Sequence, residues 1–188
     1  MSQRIFVAYV EDKPGVLNRV ASLFRRRGFN IESLTVGHTE QPGVSRMTIG
    51  VDTDEMVARR VEANLYKLVN VLRVDDVTDL PTVTRDLALI KVASANAEAR
   101  AQVMQFVDVF RARIVDVATE AVIVEITGTE DKIEGLIDVL RPLGIIEMVR
   151  TGIVAMTRGP ATVTVDAPNV AAQLPKEEVH DSAVAYSV

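Results

Sequence analysis

Apolar and polar positions along this chain alternate between two periods, and the changes of period mark out its elements. Residues 4–10 (RIFVAYV) form a nearly unbroken apolar run of strand length. After EDKPG, the segment VLNRVASLFRRR places Val16, Val20, Leu23 and Phe24 on one stripe of a helix. Arg25, Arg26 and Arg27 fall in its last turn, where cations suit the negative helix end, and Gly28 supplies a left-handed stop. Residues 30–38 (NIESLTVGH) read as a second strand, TEQPG as a turn and residues 44–52 as a third strand. In that third strand Met47, Ile49 and Val51 share one face while Arg46 and Thr48 share the other. Asp54 is placed to cap a second helix with Val57, Val61, Leu65 and Leu68 on one side, and residues 71–77 (VLRVDDV) close the set as a fourth strand.

LPTVTRD, residues 80–86, is a Pro-containing break and reads as a domain boundary. The pattern then repeats. LALIKVA is a strand; Val103, Phe106, Val107 and Phe110 share a helix face; RIVDVA and AVIVEIT are strands joined by a short connection. Thr127 and Glu130 have the spacing of a capping box for a helix carrying Ile133, Leu136, Ile137 and Leu140. Gly144 stops that helix, and IIEMVRTG is a last strand that the pattern extends toward Met156. The expected fold class is therefore α+β: two tandem ferredoxin-like βαββαβ domains, at residues 3–79 and 84–159. Residues 160–188 lack a sustained period and carry three prolines and four acids, so a flexible or partner-ordered tail is expected there.

Composition narrows what such a fold can do. Aromatic residues are only 4% of the 188, and the third strand, VSRMTIGV, has none, which removes RRM-type base stacking. The net charge of −5 argues against a nucleic-acid partner, and no basic recognition helix is present. With no cysteine there is neither a disulfide nor a thiolate metal site, and a cytoplasmic setting is expected. The opening MSQRIFVAYVED does not read as a secretory signal, and no apolar run reaches the length of a membrane span. His38 and His180 are far apart in sequence and read as surface residues. Glu11 and Asp12, like Asp75 and Asp76, are adjacent, so on a strand their side chains point to opposite faces and make poor acid–base pairs. No catalytic residue and no metal site is expected.

The loop EDKPGVL remains. Pro14 restricts the backbone, Gly15 permits close approach, and the first amides of the following helix have no intrahelical acceptors. Those amides make a seat for a carboxylate, and Asp12 sets a negative charge beside it that suits an ammonium. A free amino acid carries both groups. Taken by itself, the loop is better accounted for as a plain strand-to-helix turn.

PGVLNRVASLFRRRGFNIESLTV, the tetrapeptide Ser45–Thr48 and KLVNVLRV, followed by LALIKV, RIVDV and RTGIVAMTRG, resemble the regulatory (small) subunits of acetolactate synthase, whose first domain is of the ACT type. The resemblance covers roughly residues 3–159. It implies a non-catalytic chain with no cofactor of its own, working on a separate catalytic (large) subunit that uses thiamine diphosphate, magnesium and FAD to condense pyruvate with pyruvate or 2-oxobutyrate. It further implies activation of that subunit, feedback inhibition by valine or another branched-chain amino acid, and a homodimer through ACT domains with the effector where they meet. Carried over residue by residue, it assigns Asp12, Gly15, Val16 and Leu17 to the effector loop, and Asn30 and Ile31 to the contribution of the partner protomer. Exposed positions around Arg46 and the second half are the expected contacts for the catalytic subunit. Two alternatives remain open: a stand-alone amino-acid sensor acting on some other enzyme or regulator, and an enzyme using the Asp75/Asp76 region with a metal.

Overall fold

The structure, a computed structural model, describes residues 2–160. The expected flexible tail and His180 lie outside the described residues from Ala161 onward. The first unit runs β1 (Ser2–Glu11), α1 (Val16–Arg27), β2 (Ser33–His38), β3 (Val44–Thr53), α2 (Glu55–Leu65) and β4 (Val71–Asp76). The second runs β5 (Thr82–Ala93), α3 (Ala97–Val109), β6 (Arg113–Val117), β7 (Ala121–Gly128), α4 (Glu130–Leu140), a 3-10 turn, β8 (Ile145–Arg150) and β9 (Val154–Thr157). The sheets are antiparallel, with strand orders β2-β3-β1-β4 and β6-β7-β5-β8, and β9 pairs with β5. Two ferredoxin-like βαββαβ units thus stand in tandem.

Each unit buries one face of its sheet under two helices. In the first, Val16, Val20, Leu23 and Phe24 of α1 meet Phe6, Ala8, Met47 and Ile49, so the helical stripe and the strand alternation close on each other. In the second, Val103 and Val107 with Ile133, Leu136, Ile137 and Leu140 cover Ala88, Ile90, Val92, Val122, Val124 and Ile126. Helix ends follow local chemistry. The Asp54 carboxylate accepts from Val57 N at 2.8 Å, and Asn96 caps α3 through Ala99 N at 2.8 Å.

Four sequence expectations change. The capping box does not form: Thr127 stays within β7, α4 starts after Thr129 without a side-chain cap, and Glu130 and Asp131 place negative charge at the helix start instead. The second strand begins at Ser33 rather than Asn30, because the amides of Gly28 and Phe29 turn back onto the α1 carbonyls of Arg25 and Phe24. Only Val77–Pro81 connect the units, since Thr82–Arg85 of the expected break already pair with Val154–Thr157. The last strand does not run on to Met156: Gly152, at φ 82°, ends it and redirects the chain into β9.

That redirection covers the helix-free face of the first sheet. Ala155 packs between Val7 and Val77, with Ile5 and Tyr9 alongside. Arg46 reaches across to the carbonyl of Ala155, donates to Thr48 Oγ1 at 3.0 Å and lies 5.8 Å over the Tyr9 ring. Arg46 itself is therefore half-buried and engaged between the units, not one of the exposed positions expected around it. Thr35 Oγ1 of β2 sits 3.3 Å from the carbonyls of both Thr151 and Ile153.

The start of the second unit is held by one buried acid. Asp86 is 2% exposed, and its carboxylate accepts from Arg150 at 2.6 Å and from Thr151 Oγ1 at 3.1 Å. Arg150 also pairs with Glu134 of α4. Removing the carboxylate strands a partly buried guanidinium, though Glu134 and solvent compensate in part. Asp86→Ala is expected to destabilise the chain by roughly 3 kcal/mol in urea denaturation; a loss below about 0.5 kcal/mol, the range of ordinary surface changes, contradicts this role.

Candidate functional site

The chain leaves the first sheet at Glu11, whose amide donates to the Asn70 carbonyl at 2.9 Å, and Asp12 N donates to the Gly43 carbonyl at 2.8 Å. Gly15 then takes φ 83° and ψ −5°, a left-handed conformation that swings α1 back over the sheet. No side chain caps α1. Val16 N is taken by the Lys13 carbonyl at 3.3 Å and Arg19 N by the Gly15 carbonyl at 3.0 Å. The amides of Leu17 and Asn18 between them have no acceptor among the described residues. Two free donors at the positive end of a 12-residue helix make an anion seat.

Asp12 flanks this seat, its side chain 45% exposed. Ser45 Oγ donates to Asp12 Oδ1 at 3.2 Å, and His38 Nδ1 lies 3.3 Å from Oδ2. Val16 is buried and anchors the helix start in the core, while Leu17 is 45% exposed beside the open amides and offers apolar contact. Behind the loop, Arg19 donates to Asn70 Oδ1, and Asn70 Nδ2 donates to Glu11 Oε2. Asn70, nearly buried, thereby ties the first turn of α1 to the end of β1. Its hydrogen bond is the main cause that holds the Glu11 carboxyl below its ordinary value, with Lys13 and Arg19 adding to it.

The structure thus brings Asp12, Gly15, Val16 and Leu17 together at one end of the first unit. It does not bring Asn30 and Ile31 to them. Those residues follow α1, which at 12 residues spans about 18 Å, and so they lie at the opposite end of the same unit. Asn30 donates to Glu32, and Ile31 packs at the margin of the core. A site using both groups needs two chains. The outer edge of β2 has no partner strand among the described residues, leaving a free sheet edge in this unit.

Ser45, His38, Arg19 and Asn70 were not singled out as site residues by sequence. Their only signal was membership of the quoted segments, because it is the β2–β3 ladder that sets His38 opposite Ser45. The acids considered for metal chemistry have structural partners. Asp75 forms a two-point pair with Arg73 at 2.9 Å, and Asp76 accepts from Thr78 N at 3.0 Å. No group of three or more metal-ligating side chains occurs among the described residues, and no helix among them is long and apolar enough to cross a membrane.

The first ferredoxin-like unit, with its open helix start behind a Pro-Gly turn, is of the ACT type. Residues 6–73 match the family described as AHAS small subunit-like ACT domain, and residues 85–159 match that described as small subunit of acetolactate synthase. The chain is 46% identical over 159 residues to a probable acetolactate synthase small subunit of Methanothermobacter thermautotrophicus, covering 85% of this chain and 95% of that one. It is 50% identical over 151 residues to the acetolactate synthase small subunit of Mycolicibacterium smegmatis, covering 80% and 88%. The crystal structure of the acetolactate synthase small subunit from Thermotoga maritima superposes with a TM-score of 0.79 at 43% identity, covering 86% of this chain and all of that one. The chain belongs to the family of acetolactate synthase small subunits.

Two measurements test the support behind the loop. Asn70→Leu leaves Arg19 and Glu11 without their shared partner and is expected to destabilise the fold by about 1–3 kcal/mol. Because folding depresses the Glu11 value, its contribution is complete above the ordinary 4.5 and is lost as pH falls through the folded value. Glu11→Gln is therefore expected to flatten the acid limb of a stability-against-pH curve below about pH 4.5; an unchanged limb assigns the acid sensitivity elsewhere.

Proposed function

We propose that this chain is a non-catalytic regulatory subunit. It raises the activity of a thiamine-diphosphate-dependent catalytic subunit and lets valine, or another branched-chain amino acid, inhibit it. The observation that carries the reading is the pairing of open amides at Leu17 and Asn18 with the Asp12 carboxylate across a left-handed Gly15. The amides take the effector's carboxylate. Asp12 takes its ammonium, since two carboxylates repel. Leu17 meets the branched side chain. A partner protomer, docked through the first domain, supplies Asn30 as donor and acceptor and Ile31 as apolar contact. The two folding domains are taken as residues 3–79 and 84–159, and thiamine diphosphate, magnesium and FAD belong to the catalytic partner in the cytoplasm.

Inhibition follows from linkage. An effector that bridges two protomers favours one arrangement of the pair, and it inhibits when that arrangement activates the catalytic subunit less. A coupling of about 1–3 kcal/mol changes the governing equilibrium roughly 5–150-fold.

The purified chain is expected to form no acetolactate alone, to raise the rate of its cognate catalytic subunit, and to make that rate valine-sensitive. Gly15→Asp places a side chain at φ 83° and a negative charge at the carboxylate seat. It is expected to weaken valine binding at least tenfold in calorimetry while the chain stays folded by circular dichroism. A catalytic subunit whose rate ignores the chain, with and without valine, defeats the proposal.

A further inference from the structure

We propose that His38 competes with the ammonium group of an amino-acid ligand for Asp12, so that effector affinity is gated by protonation of this imidazole. The inference rests on reading the Asp12–Leu17 loop as an amino-acid seat.

The geometry places two potential donors around one carboxylate. Ser45 Oγ occupies Asp12 Oδ1 at 3.2 Å, and His38 Nδ1 stands 3.3 Å from Oδ2. Oδ2 is thus the oxygen left for an incoming ammonium, and His38 already faces it. The His38 side chain is 83% exposed, so it can swing away into water at little expense. Histidine is the side chain that changes charge between pH 5 and 8. Neutral, it makes only a 3.3 Å polar contact with Asp12, which a cationic ligand readily displaces. Protonated, it forms an ion pair with the same oxygen and opposes the ligand.

The neighbouring charges do not perform this role. Lys13 is engaged by Glu11 at 3.2 Å, and Arg19 by Asn70. Ser45, opposite His38 on β3, is neutral. Glu40, in the turn after β2, lines the separate groove between Tyr9, Arg46 and Met156. By sequence alone His38 reads as a surface residue. The ladder that pairs it with Ser45, and the Asp12 amide bond to Gly43, bring it to the loop.

An exposed pair sets a modest scale, about three- to fivefold in affinity. Free valine stays a zwitterion between pH 6 and pH 8, so the ligand itself adds no pH dependence. The test is calorimetric titration of L-valine into the full-length chain at both pH values, for the wild type, His38→Gln and Asp12→Asn. Wild type is expected to bind about three- to fivefold more weakly at pH 6 than at pH 8. His38→Gln is expected to bind equally at both, and Asp12→Asn to bind more weakly than wild type with no pH dependence. By reciprocity, saturating valine lowers the proton affinity of the His38 imidazole by the same factor, which an NMR titration of its ring protons reads directly. Tighter binding at pH 6, a wild-type ratio retained in His38→Gln, or an imidazole titration unmoved by valine overturns the inference while leaving the seat intact. No valine binding at either pH defeats the reading of the seat, and this inference with it.

Discussion

Gly15 carries the chain from β1 into α1 at φ 83°, and the character of the first loop follows from that single backbone state. A side chain there meets no neighbour within 4 Å, so space is not what demands glycine; the left-handed conformation is. The turn leaves α1 without a side-chain cap, and the amides of Leu17 and Asn18 have no acceptor among the described residues. The chain forgoes local helix stability at the place where a ligand is proposed to supply the missing acceptors. Arg19, Asn70 and Glu11 compensate from behind by tying the helix start to the sheet through a nearly buried amide.

The second organising demand is the bare face of the first sheet. A βαββαβ unit covers one face with helices and leaves the other to find its own partner. Here the partner is β9, delivered from the far end of the second unit by the turn at Gly152. Arg46 and Thr35 then become inter-unit residues, and β2 carries Thr35 at that contact and His38 beside Asp12 in the first loop. A ligand at the loop and a rearrangement of the second unit thus share one strand. The Asp86–Arg150–Thr151 cluster secures the other side of the same junction.

Much of this was legible in the chain. Val16, Val20, Leu23 and Phe24 announce α1 by their spacing, Gly28 ends it, and Asp54 caps α2, because these effects act within one turn of helix. Asp12 and Gly15 stand out in the loop because their chemistry is local, while the grouping of Asp12, Gly15, Val16 and Leu17 came from the family resemblance. Misreadings fell where a residue's role depends on something distant. Thr82–Arg85 read as a break because their strand partner lies some seventy positions away. The surroundings of Arg46 read as exposed because Ala155 of β9, which engages it, lies 109 positions away. Thr127 read as a cap because spacing alone does not reveal that the strand holds it.

The order of elements, the apolar face of each, and the left-handed turn that opens α1 were determined by the sequence alone, since short-range sterics and periodicity set them. Tertiary structure alone decided which carboxylate oxygen His38 would face, which residues support the loop from behind, and which strand would close the open sheet. Those outcomes depend on the register between segments distant in the chain, and register is chosen by the packing of the whole core rather than by any local run of residues.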